Sequence, residues 1–106
     1  MNEHSYDAAR SLQHAIRQRF GAHAVNFVNF RQWPWASVTF SGARHEFSIR
    51  IEGERAEAAA DSFLADLDCA EFHLRGHILA DIALTARTVV GHHVELGLEA
   101  LTVEEG

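Results

Sequence analysis

Lysine is missing from this 106-residue chain: all nine basic residues are arginine. Cysteine is almost missing too, and the single Cys69 excludes an internal disulfide and a cysteine-based zinc site. No apolar run is long enough to span a bilayer. Met1 to Ser5 contain an acid and no apolar stretch, so no secretory signal is expected. These absences predict a soluble, cytoplasmic protein. A cluster of basic residues is also lacking, and the net charge is −6. That predicts no nucleic-acid partner and no anionic membrane, because phosphate neutralisation supplies most of such affinity.

What is present is ordinary for a globular domain. Hydrophobic residues make up 47% and charged residues 23%. The length predicts a single domain over residues 1–106, with one hydrophobic core. Eight histidines are the compositional excess.

The first helix is predicted over Ser5–Phe20. Ala8, Ala9, Leu12, Ala15, Ile16 and Phe20 form its apolar stripe, Ser5 is the expected cap, and Gly21 is the stop. A strand follows over Ala24–Phe30. Its apolar residues change parity between Phe27 and Val28, which demands two buried faces or a bulge. Trp35–Phe40 and Ala43–Ile51 then read as a hairpin about Ser41-Gly42. The register pairs Phe40 with Ala43, Val38 with His45 and Ala36 with Phe47. A second helix is predicted over Glu54–Leu67, with Ala56, Ala59, Ala60, Phe63, Leu64 and Leu67 on one face.

The remainder reads as a long hairpin. Phe72, Leu74, Ile78, Ala80, Ile82, Leu84 and Ala86 share one parity, and Val94, Leu96, Leu98 and Ala100 share another row. Both rows are even-numbered, so the loop near Val90–His93 should hold an odd number of residues. The expected fold is α+β: a two-layer sandwich with a five-stranded antiparallel sheet and two helices on one face, in the order α-β-β-β-α-β-β. That order resembles the type III secretion chaperones, which are small, acidic and dimeric, without their closing helix. A ferredoxin-like arrangement with shuffled strand order is the other candidate.

The sequence carries no nucleophile elbow, phosphate loop or calcium loop. His73 and His77 have ligand spacing for a helix, but a strand would hold them about 13 Å apart. Both read as surface histidines, and His92-His93 lies in a turn. Cys69 follows Asp66 and Asp68, a setting that raises a thiol pKa, so it reads as structural. Glu71, Glu95 and Glu99 read as solubilising charge. No catalytic residue, metal ligand or cofactor is assigned.

The informative feature is the sheet face left open by the helices. Trp33, Trp35, Leu79, Ala83, Leu101 and Val103 are predicted to project there, with Arg50 opposite Trp33. An apolar patch with tryptophan and arginine marks a contact surface. The expected function is therefore a noncatalytic interaction or assembly module, chaperone-like in style, acting as a homodimer or receiving a protein partner. The alternative is a small-molecule-binding protein or small enzyme with a pocket between sheet and helices. It would use His45, Asp81 or His92.

Overall fold

The computed structural model describes residues 3–67 and 72–105, with side chains from residue 8 onward. The order is α1 (Glu3–Phe20), β1 (Val25–Ala36), β2 (Ser41–Glu52), α2 (Ala56–Ala65), β3 (His77–Val90) and β4 (His93–Glu104). The four strands form one antiparallel sheet in the order β1-β2-β4-β3. The expected five-stranded sheet with order α-β-β-β-α-β-β is therefore corrected to four strands and α-β-β-α-β-β. The run of three strands that carried the chaperone resemblance is a run of two.

The merger has a local cause. Val25 to Ala36 is one continuous strand, interrupted by a register shift between Val28 and Arg31. Asn29 sits in that bulge with φ +53°, a conformation that asparagine tolerates better than most residues. The bulge lets Val25, Phe27 and Phe30 all reach the helix side. Phe30 stacks on Phe47 at 4.9 Å between centroids. Residues 31–34, left between two predicted strands by the sequence reading, lie within β1, Pro34 included. Pro34 is tolerated because β1 is an edge strand, where a missing N–H disrupts no ladder if it faces outward.

The β1–β2 turn is displaced from Ser41-Gly42 to Ser37–Phe40. Ser37 closes it: its Oγ accepts from the Phe40 N–H at 3.0 Å, and its N–H donates to the Phe40 carbonyl at 2.7 Å. Val38 and Phe40, predicted to pair with His45 and Ala43, stand exposed on that turn. Ala36 pairs with Ser41, Pro34 with Ala43 and Gln32 with His45, replacing the predicted register. Gly42 serves close approach rather than turning. A Cβ there would lie 1.9 Å from the Thr102 carbonyl oxygen of the neighbouring strand. Gly42→Ala should therefore destabilise the fold by about 1–3 kcal/mol. Urea unfolding of the variant checks this, and an unchanged midpoint would contradict it.

Both helices pack on the same sheet face, and the core lies between the layers. The α1 stripe is buried as expected, from Ala8 through Phe20. The helix begins at Glu3, so Ser5 lies within its first turn rather than capping it. Ala56, Ala60 and Phe63 bury the matching face of α2, and Phe20 stacks on Phe63 at 4.7 Å. Beneath them lie Phe47, Ile49 and Ile51 of β2 and Val94, Leu96, Leu98 and Ala100 of β4, all buried. These two rows match the sequence reading.

β3 departs from it. Register shifts fall between Leu79 and Asp81 and between Leu84 and Ala86, so Ala80 and Thr85 are bulged. Each bulge reverses the alternation once. Leu79, Ile82, Leu84, Arg87 and Val89 fall opposite helix-side residues of β4. Ile78, Asp81, Ala83, Ala86, Thr88 and Val90 fall opposite its open-side residues. The β3–β4 loop accordingly holds two residues, Gly91 and His92, with Gly91 at φ +58°. The odd count expected from uninterrupted alternation is corrected by the bulges.

Candidate functional site: the open sheet face

The cross-strand registers order the uncovered face into rows running β1, β2, β4, β3. The row nearest the β1–β2 turn is Trp35, Gly42, Val103, Ile78, and the next is Trp33, Arg44, Leu101, Asp81. These two rows form an apolar end. Trp33 is 42% exposed and Ile78 53% exposed. The indole Nε1–H of Trp35 is buried without an acceptor. Such an unmet donor costs about 1–3 kcal/mol.

The following rows are charged or small. Arg31, Glu46, Glu99 and Ala83 make the third, and Val28, Ser48, Gly97 and Ala86 the fourth. The Arg31 guanidinium donates to Glu46 at 3.0 Å and lies 5.4 Å from the Trp33 ring, so one cation links the charged band to the apolar end. Glu99 lies directly across from Glu46, leaving two carboxylates beside one arginine. Further along, Arg50 meets Glu95 at 3.2 Å and Asn26 donates to Glu52 at 3.0 Å. A shallow trough of about 620 Å³ crosses the sheet over Arg31, Glu46, Ser48, Ala86, Gly97 and Glu99. Gly97 keeps it open, because a Cβ there would press on Thr85 Oγ1 at 2.9 Å.

The predicted interface residues divide accordingly. Trp33, Trp35, Leu101 and Val103 share the apolar end, and Ala83 borders it beside Glu99. Leu79 does not. The Ala80 bulge turns it to the helix side of the sheet, where it packs against the edge of the core. Ile78 takes the position expected of Leu79. Arg50 is also misplaced: Trp33 faces Arg44, and Arg50 sits three rows away against Asn26 and Glu95. Its assignment depended on the hairpin register that the displaced turn overturns. Arg44 and Ile78 had no signal in the sequence, because their positions follow from that turn and that bulge.

The residues of the pocket alternative do not converge. His45 is buried on the helix side, Asp81 projects from the open face, and His92 lies in the β3–β4 turn. His45 Nε2 donates to Thr102 Oγ1 at 3.0 Å, and that hydroxyl donates to the Ala43 carbonyl at 3.3 Å. Burial, and then the nearby His77, lowers the His45 pKa to about 4. His77, expected at the surface, is buried with Nδ1 donating to the Arg75 carbonyl at 3.1 Å. The reason is the start of β3: Gly76, at φ +76°, turns the chain so that His77 enters on the helix side. Among the described residues, no three His, Cys, Asp or Glu side chains gather to hold a metal. Cys69 and Glu71 lie outside the described residues. No helix among the described residues is long and apolar enough to cross a membrane.

No protein-family model matches this chain, and no curated protein matches it. Among solved structures, a chain from the virion of a native gene transfer agent (GTA) particle is similar to it, with a TM-score of 0.66 and 19% identity. The similarity covers 93% of this chain and 99% of that one. At this identity the likeness is one of fold, and it extends over essentially the whole of both chains: the α-β-β-α-β-β sandwich described above is shared with a component of a protein particle.

Proposed function

We propose that this chain is a noncatalytic structural subunit of a particle-like protein assembly. The apolar end of its open sheet face docks on a neighbouring protein. The clustering of Trp33, Trp35, Leu101, Val103 and Ile78 on an uncovered face carries the reading. The fold shared with a virion component supports it. Burial of apolar surface contributes about 25 cal/mol per Å², and tryptophan anchors dominate such contacts.

The partner on this face is a different protein rather than a second copy. Two copies laid face to face about an axis through the Glu46–Glu99 row would set those carboxylates against their own counterparts. A partner with an arginine or lysine over the trough meets them with opposite charge instead. That arrangement of the homodimer expected from the sequence is disfavoured on this face. A cytoplasmic location before assembly is compatible with this role.

Sedimentation tests the proposal. Tagged chain expressed in its native cells should travel in a density gradient with a large protein particle. Trp33→Glu should leave it at the top of the gradient, because a carboxylate would be buried against apolar surface. If both forms stay at the top, or both travel with the particle equally, the reading fails.

A further inference from the structure

We infer that the outer edge of β3 is a self-association site, through which a second copy of this chain extends the sheet from four strands to eight. The edge borders the apolar end of the open face, sharing Ile78 and Asp81 with it, but pairs through its backbone, and the inference does not depend on what docks on that face.

The two edges of the sheet differ. β1 carries Pro34, which removes a backbone donor and blunts strand addition; bulges and charged residues occur on both edges, Asn29 and Arg31 in β1 and Ala80, Thr85, Asp81 and Arg87 in β3. β3 is 14 residues long with no proline, and its only acid or arginine residues are Asp81 and Arg87. It holds four of the seven exposed large hydrophobic residues among those described: Ile78, Leu84, Val89 and Val90. Among the described residues no strand pairs with its outer side. A long apolar edge with an unmade backbone ladder accepts another strand, and the blocked β1 edge stops growth at two copies.

The pattern of β3 is self-complementary. An antiparallel two-fold pairing centred on Leu84 spans Ile78 to Val90, nearly the whole strand. Pairs in a continuous sheet must lie on a common face. With faces taken from the β4 register, Leu79 then meets Val89 of the second copy on the helix side. Ile78 meets Val90 and Asp81 meets Thr88 on the open side. The extra residue at Thr85 of one copy shifts the register by one, and the extra residue at Ala80 of the other shifts it back. Apolar residues thus pair with apolar ones except at Ile82, which faces the aliphatic stem of Arg87; Asp81 gains a hydroxyl donor, and no like charges oppose. Arg87 stays with Asp61 of α2 at 2.8 Å.

Light scattering behind gel filtration tests this. At roughly tens of micromolar, a range that detects micromolar dimers, the purified chain should show twice the 11.8 kDa chain mass. Leu84→Lys sets two ammonium groups together at the axis and should weaken the dimer on the order of a hundredfold. Leu84→Glu should do the same, and mixing the two variants should restore the dimer. Leu84 is 40% exposed, so both variants should fold, which far-ultraviolet circular dichroism checks. Trp33→Glu should leave the dimer intact, which separates this edge from the open face. A monomeric wild type, a dimer that survives Leu84→Lys, or a mixture that stays monomeric overturns the inference.

Discussion

Truncating Leu96 to alanine should lower the unfolding free energy by about 2–5 kcal/mol, whereas Leu84→Ala should cost about 1 kcal/mol or less. Leu96 is fully buried between Ile49 of β2 and Arg87 of β3, under the helices. Its loss leaves a cavity in a close-packed layer that relaxes only in part. Leu84 lies on the same sheet side but on the edge strand, and it remains 40% exposed. The contrast separates lying on the helix side from being covered by helix. Urea unfolding at neutral pH with a constant m value measures it, at submicromolar protein concentration where the β3-edge dimer is dissociated. Equal losses at the two positions would mean that the helices extend over β3.

Acidification should remove about 3 kcal/mol of stability between pH 6.5 and pH 4 through His45 alone. The sign follows from its two states. The folded pKa is about 4, lowered first by burial and then by the neighbouring His77. In the unfolded chain the ordinary value is 6.5. Between these values the unfolded chain binds a proton that the folded one does not. Stability is therefore fully retained above pH 6.5, falls as pH drops toward 4, and levels off below it. The groups around the ring offer no countercharge: Thr102 gives a hydroxyl at 3.0 Å, Phe30 an aromatic edge at 5.8 Å, and Gln32 an uncharged amide across the strand pair. Denaturation midpoints at pH 7, 5.5 and 4 should show the fall, and His45→Leu should flatten most of it. An equal pH slope in both proteins would place the acid sensitivity elsewhere.

Much of the core was legible because it follows uninterrupted periodicity. The α1 stripe from Ala8 to Phe20 and the rows Phe47–Ile51 and Val94–Ala100 obey simple helical or alternating spacing, and all are buried. The misassigned faces of β3 have one physical source. A bulge costs one residue in sequence and reverses every side chain beyond it, and no residue type announces it reliably. At Asn29 the parity change among Val25, Phe27, Val28 and Phe30 signalled a bulge, and one is there. At Ala80 and Thr85 the residues are small and β-compatible, so Leu79 and Ile78 exchanged faces unannounced. The hairpin failed differently. Ser41-Gly42 is good turn chemistry, but Gly42 is needed for its missing Cβ beside Thr102, and Ser37 makes the turn instead. That displacement moved Trp33 from Arg50 to Arg44, while both tryptophans kept the open face because their parity was unaffected.

The chain contains an internal probe of its proposed contact surface. Its only tryptophans, Trp33 and Trp35, both project from the apolar end of the open face. Acrylamide quenching of tryptophan fluorescence should therefore be compared between the isolated chain and the assembled particle fraction. The account predicts a several-fold smaller quenching constant and a blue-shifted emission in the assembly, as a partner covers both rings. Equal quenching in the two states would show that this face stays in water after assembly, and would contradict the account.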